Sequence, residues 1–354
     1  MPLRAPKENK STPRLIIVTV LLLAILQIEG CYYMQAIRGQ FEVMNRRQPI
    51  TEVIADDESP DDLKKRLTVV QEARVFAVDE LLLADNKSYR SYADLGRDYV
   101  VWNVFAAPEF SLEPKTWCYP VAGCVAYRGY FAEEAARKKA QKLGDDGFDV
   151  AVGGVSAYST LGRFADPVLN TMMRWPDTQL VATIFHELAH QKLYVKGDTA
   201  FNESFATAVA DIGIKKWLED RNELASIDSY LQNRELRQSM MTFVDEAKAE
   251  LQTLYESDLD DETKRSRKQE VMDALSAAAG RVVEKSGSGA GNWLAGTLNN
   301  ARLASLGLYE GHQGVFRKIL RDCDEQLTCF YAESRKLAEL DQDERRQRLE
   351  QMAD

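Results

Sequence analysis

The sequence predicts an α+β fold, mostly helical, with a small, mostly antiparallel sheet and a projecting helical hairpin. Three observations carry that expectation. From about residue 97 to 165, short runs of β-branched and aromatic residues alternate with glycine-containing breaks, as strands require. From about 177 onward, apolar residues recur at helical spacing almost without interruption. Within that part, Ser226 to Ala279 is charged, periodic and free of proline, and breaks only near Ser257–Asp261. At 354 residues the chain is long enough to bury a substantial core. Its 45 basic and 55 acidic residues give a net charge of −10, which argues against a nucleic-acid surface.

The first segment, 1–30, reads as a targeting signal. Arg4, Lys7, Lys10 and Arg14 precede an apolar run from Leu15 to Ile28 in which only Thr19 and Gln27 are polar. As a helix that run spans roughly 21 Å, short of the roughly 30 Å of a bilayer core, so it fits a signal-peptide core. Ile28-Glu29-Gly30-Cys31 resembles the bacterial lipoprotein signal, in which the cysteine carries the lipid; Glu29 departs from the pattern. The alternative is an uncleaved anchor. Either way the expected location is the bacterial cell envelope, periplasmic side, with the chain tethered to a membrane.

Residues 31–68 read as a tether with one short helix, closed by the acidic turn Asp56–Asp62. The region 69–225 should hold the sheet and the principal helices. Val69–Leu83 is an amphipathic helix, with Val70, Ala73, Phe76, Ala77 and Leu81 on one side. Tyr99–Ala106 and Cys124–Tyr130 are strands. Phe131–Leu143 is a helix closed by Gly144 and the Asp145-Asp146-Gly147 turn. Phe148–Tyr158 is one or two further strands. The hairpin occupies 226–285, with Ser286–Gly291 as a flexible loop. Helices from 286 to 354 pack back on the central region.

An exported chain makes its cysteines interpretable. Cys118 and Cys124 are separated by five residues, and Cys323 and Cys329 repeat that spacing. Local pairing is expected, although four cysteines allow three connectivities. The second pair is the harder one, because its surroundings read as helix, where i,i+6 side chains diverge; free buried thiols are its alternative.

The chemistry concentrates in Phe185-His186-Glu187-Leu188-Ala189-His190-Gln191. Positions i and i+4 of a helix share a face, so both imidazoles can reach one metal ion, with Glu187 close enough to act on its water. This is the His-Glu-x-x-His arrangement of zinc-dependent hydrolases. A catalytic zinc takes three protein ligands. Asp198 suits an N-cap, which starts a second helix near Thr199 and puts Glu203 one turn in, within reach of His186 and His190 across a helix corner. A later carboxylate such as Asp211 is the alternative. The expectation is one Zn²⁺ per chain; Asn202-Glu203 also resembles the Asn-Glu pair of thermolysin-type enzymes, which implies that Asn202 supports the site from behind. Glu187 would take the water's proton and pass it to the leaving amine. Tyr309 and His312 are candidate donors to the oxyanion. The segment Gly153, Gly154, Val155, Ser156, Ala157, Tyr158 is a candidate strand for binding peptide substrate by main-chain hydrogen bonds, or else only a bulge.

Separate blocks along the chain resemble the bacterial family of predicted lipoprotein aminopeptidases, zinc-metallopeptidase-like proteins of gluzincin type. They are Gly30-Cys31-Tyr32-Tyr33, Gln48-Pro49-Ile50, Trp117 to Cys124, Tyr127 to Phe131, Ala157 to Gly162, His186 to Gln191, Phe201 to Ala206 and Asn299-Asn300-Ala301. The resemblance implies a zincin-like catalytic region, zinc on His186, His190 and Glu203, and Glu187 as acid and base. The chain lacks the Gly-x-Met-Glu-Asn strand by which well-known gluzincin aminopeptidases hold a free amine. The expected function is an envelope-anchored zinc peptidase acting on peptides or unfolded proteins. The alternative is a zinc-stabilised, non-catalytic scaffold that holds a partner through the hairpin.

Overall fold

The computed structural model describes residues 32–119, 123–286, 297–307 and 312–353. The chain divides after Asn45. Helix α1, residues 32–45, lies on the N-terminal side of that division.

The second unit begins at Arg46, so the expected tether ends there and not near 68. Arg47–Pro49 forms β1, Ile50–Ala55 α2 and Asp61–Asp79 α3. Ile50, Val53 and Leu67 are buried in the core, which is why this stretch folds. Strand β2 (Ser91–Ala93) joins β1 antiparallel and β8 (Val168–Leu169) parallel in a three-stranded sheet.

A second sheet has β3 (Val101–Pro108) between β6 (Arg128–Tyr130) and β7 (Phe148–Val155), all antiparallel. Seven consecutive β3 residues, Val101 to Ala107, are buried, as a strand covered on both faces must be. Between β6 and β7 runs α4 (Glu133–Asp145), which passes through Gly144; the left-handed residue that turns the chain is Gly147, at φ +85°. The β3–β7 ladder stays in register from Val101–Val155 to Pro108–Phe148, so Gly153 and Gly154 form no bulge. Strands β4 (Trp117–Tyr119) and β5 (Gly123–Val125) make a separate ribbon closed by the Cys118–Cys124 disulfide.

The remainder is helical. Helices α5 (Asp177–Lys192) and α6 (Thr199–Asp220) pack against each other, with α3 on one side. Contact between α5 and α6 is close at Gly213, where a Cβ would meet Phe185 at 2.8 Å and Leu81 at 2.7 Å. The hairpin is α7 (Leu224–Glu256) and α8 (Asp261–Ser286), with Asp260 capping α8 through Thr263 N–H at 2.9 Å. Its own seam is apolar: Met241, Val244 and Leu251 face Val271, Met272 and Leu275.

The hairpin does not stand free. Lys268 Nζ reaches Asp149 Oδ2 at 2.7 Å and the Glu109 carbonyl at 2.8 Å, while Arg265 pairs with Glu109 at 2.6 Å. Asp149 also accepts from the backbone N–H of Asn300, the first residue of α9 (Asn300–Gly307). Sheet, hairpin and α9 therefore meet on one carboxylate.

Helices α10 (Gln313–Asp322), α11 (Leu327–Ala338) and α12 (Gln342–Ala353) complete the chain. Phe316 and Phe330 lie against Phe201 and Phe205 of α6. Cys323 and Cys329 are disulfide-bonded. Asp324 and Glu325 between them are left-handed, at φ 50° and 56°, which breaks the helix and lets the two side chains meet. The expected loop at Ser286–Gly291 lies, apart from Ser286, outside the described residues.

Gly213→Ala should lower stability by about 1–3 kcal/mol through overpacking, read as a reduced denaturant midpoint at unchanged slope.

Candidate metal centre

Helix α5 is buried along Leu180, Val181, Ile184, Phe185, Leu188 and Ala189, which fixes the direction of its remaining face. His186 and His190 stand one above the other on that face, rings nearly perpendicular with centroids 4.7 Å apart. The helix ends at Lys192, and Leu193 is already extended. The chain then turns through Gly197, left-handed at φ +85°, into Asp198, whose side chain caps α6 by accepting from Phe201 N–H at 3.0 Å. Arg345 of α12 holds the other Asp198 oxygen at 2.8 Å.

Asn202 secures this corner. Its Oδ1 accepts from Val195 N–H and its Nδ2 donates to the Val195 carbonyl, both at 2.7 Å. The side chain thus pairs with backbone as a strand would, and the next residue, Glu203, is turned toward α5. Glu203 Oε2 lies 3.2 Å from His186 Nε2, Glu203 Oε1 lies 3.5 Å from His190 Nε2, and the two Nε2 atoms are 3.1 Å apart. Among the described residues, these three form the group able to hold a metal ion.

The donor set suits zinc. Tetrahedral ligands at roughly 2.0–2.1 Å from one ion sit about 3.4 Å from one another, and the three observed separations bracket that value. The two imidazole nitrogens, 3.1 Å apart, can share one proton as a hydrogen bond, or turn both lone pairs to a cation between them. His190 Nδ1 is buried and meets no acceptor among the described residues, so packing holds this ring, with Tyr194 edge-on at 6.3 Å.

Burial and neighbouring charge set the protonation states. Burial pulls His190 down to about 4, reinforced by His186 and opposed by Glu203. Burial also pulls on His186, but its hydrogen bond to Glu203 and the charges of Glu187, Glu203 and Asp211 prevail and raise it. Burial pushes Glu203 up, and its hydrogen bond to His186 and the two imidazoles outweigh that, leaving it lowered. Glu187 is pushed up to about 7, first by burial, opposed by His186 and reinforced by Glu203. A carboxyl near 7 is suited to taking and returning a proton at neutral pH.

Ser159, Asp166 and Tyr89 surround Glu187; Ser159 falls in the Ala157–Gly162 block, and the other two carry no motif. Ser159 lies beside the Glu187 carboxyl and partly offsets the upward push of burial. Asp166, almost wholly buried, holds the Ser159 loop by accepting from Thr160 N–H at 2.9 Å, Thr160 Oγ1 at 2.7 Å and Ser159 Oγ at 3.3 Å. The loop's Gly162 lies against Gln191, where a Cβ would come within 2.9 Å of Oε1; that oxygen accepts from Asn86 Nδ2 at 2.6 Å. Gln191, which directly follows His190, thereby ties two loops to the metal helix. The sequence signal that could have found this loop is Ser159-Thr160-Leu161-Gly162 followed by Asp166, a compact polar turn with an acidic residue to cap it.

The other candidate residues are placed as follows. Asp211 accepts from Tyr230 OH at 2.7 Å and pairs with Arg234 at 3.1 Å, and Glu203 takes the position beside the histidines. His312 caps α10 from outside, its N–H on Ser204 Oγ at 2.9 Å and its ring near Asp198 and Glu350. No hydrogen bond or ion pair among the described residues joins it to the metal group. Tyr309 and Cys31 lie outside the described residues.

Gly153, Gly154 and Val155 end β7, whose strand partner among the described residues is β3 alone. Gly154 is required there, because a Cβ would strike the Tyr99 ring at 2.4 Å. Ser156, Ala157 and Tyr158 are past the strand: the Ser156 carbonyl accepts from Thr171 Oγ1 at 2.5 Å, and Tyr158 packs edge-on to Phe131.

Asn202→Ala frees the corner that aims Glu203. We expect zinc affinity to fall by about 10–100-fold, as for other groups that orient ligands, measured by competition with a chromogenic chelator.

Neither a curated protein nor a solved structure matches the chain. Residues 31–349 match a family described as "Putative aminopeptidase", a name that supports a peptidase, hence a hydrolase, at a coarse level. That span takes in the corner, its three converging side chains and Glu187, and the chain belongs to this family.

Proposed function

We propose that the protein is a zinc-dependent peptidase of gluzincin type, exported to the bacterial cell envelope and anchored to a membrane on the periplasmic side. The observation that carries the reading is the convergence of His186, His190 and Glu203, with Glu187 alongside. His186, His190 and Glu203 would hold the ion. When bound, zinc supplies an acidified water and positive charge for the carbonyl oxygen under attack.

The chain's own groups do the rest. Glu187 accepts a proton from the attacking water as its oxygen bonds to the carbonyl carbon. The same carboxyl gives that proton to the nitrogen as the C–N bond breaks, so no net proton is consumed at the glutamate. Ser159, held by Asp166, stands beside that carboxyl. The side of β7 that meets no strand among the described residues offers, at its Gly153–Val155 end, an edge on which a peptide could lie extended. Export rests on the apolar run Leu15–Ile28 behind its basic residues, and anchoring on Cys31 or on that run itself.

Glu187→Gln should lower kcat/KM by about 10²–10⁴-fold, the range of general acid–base catalysis, while one zinc per chain is retained. Hydrolysis unchanged by the substitution would instead favour a scaffold that uses the ion for stability. Chelation should abolish hydrolysis and leave the far-ultraviolet circular dichroism intact, because α5 and α6 are packed on apolar contacts of their own; unfolding on chelation would mark a structural metal. Peptides with free and blocked N-termini, read by mass spectrometry, decide the aminopeptidase assignment: only free ones should be cut.

A further inference from the structure

Helix α1 has two faces of opposite character. Gly39 and Val43, one turn apart, are buried. On the other side stand Tyr33, Met34, Ile37 and Phe41, which the helical repeat gathers into one stripe about 100° wide. They are 39, 65, 51 and 57 % exposed. They are four of the ten large hydrophobic side chains exposed among the described residues, all on one short helix, so they do not belong to the single scattered apolar residues of an ordinary surface. No polar residue falls inside the stripe, and Arg38 is exposed at its margin, where a long stem can carry a cation out of an apolar phase.

The place of α1 in the chain identifies what covers the stripe. The apolar run ends at Ile28, four residues before Tyr32, so Tyr32 lies within about 14 Å of that end even when fully extended. If Cys31 carries the lipid, Tyr32 is its immediate neighbour. In both cases the helix starts at the bilayer surface. A helix held there, with an apolar stripe on one side and a cation at the rim, settles in the interfacial plane with that stripe toward the acyl chains. Tyr33, at the anchored end, has an apolar ring and a polar tip suited to headgroup depth.

We infer that the Tyr33, Met34, Ile37 and Phe41 face of α1 seats in the bilayer interface, as a second membrane contact beyond the anchor. The inference rests on the envelope anchoring proposed above.

The test uses the full chain reconstituted in vesicles of phosphatidylethanolamine and phosphatidylglycerol. A nitroxide is placed by Ile37→Cys or Phe41→Cys, and for reference by Lys138→Cys on the exposed side of α4. The ratio of collision with oxygen to collision with a water-soluble nickel complex should be several-fold higher at 37 and 41 than at 138. Vesicle-bound chain whose labels at 37 and 41 meet the nickel complex as freely as the reference would overturn the inference. Labels shielded from both reagents would overturn it too, by showing that protein covers the stripe. A chain that does not sediment with the vesicles at all overturns the anchoring reading and this inference with it, an outcome distinguishable from the other two.

Discussion

A buried helix corner has to deliver a carboxylate to two imidazoles, and much of the molecule is arranged around that requirement. Helices α5 and α6 are apolar over most of their surfaces, so they would pack stably without His186, His190 or Glu203. The polar groups are tolerated because they face one another. What makes them meet is the five-residue connection from Leu193 to Gly197, and that connection is held by side chains. Asn202 satisfies the backbone of Val195 in both directions, Asp198 caps α6, and the almost fully buried Arg345 fixes Asp198 from α12.

Glu187 lives under a different constraint. It projects from the same helix but belongs to a pocket built by loops, with Ser159 against it and Tyr89 and Asp166 adding to its surroundings. The His186, His190 and Glu203 group is thus set by helix geometry, and the surroundings of Glu187 by loop geometry. Gln191 joins the two systems, since one side chain meets Asn86 and Gly162 while its backbone continues the metal helix. Movement of the loop relative to α5 would change the surroundings of Glu187 without moving His186, His190 or Glu203.

How much of this was legible in the sequence followed from how local each relation is. His186 with His190 is a spacing of four on one helix, and Glu203 could be placed because Asp198 announces a helix start. The buried run of β3 and the hairpin's break near 257 are local patterns as well. The stretch from 46 toward 68 reads as a tether because β1 is three residues long and α2 six, too short to show a period, while Ile50 and Val53 are buried only in the folded chain. The Cys323–Cys329 bridge looked awkward because nothing in Asp324-Glu325 advertises left-handed backbone. Ser159, Asp166 and Tyr89 were unreadable for a further reason: polar loop residues gain their roles only from partners brought in across the fold.

Arg345 reaches Asp198 across 147 positions, Asn300 reaches Asp149 across 151, and Tyr331 reaches the Leu81 carbonyl across 250. Each of these long closures costs chain entropy before it returns any contact. During synthesis the histidines emerge well ahead of the segments that lock their corner. His186, His190 and Glu203 therefore precede α12 in the chain, and Asp198 gains its partner Arg345 only once the last helix is in place. A chain threaded N-terminus first would present these three side chains before α12 arrives, and the Asp198–Arg345 contact would close last.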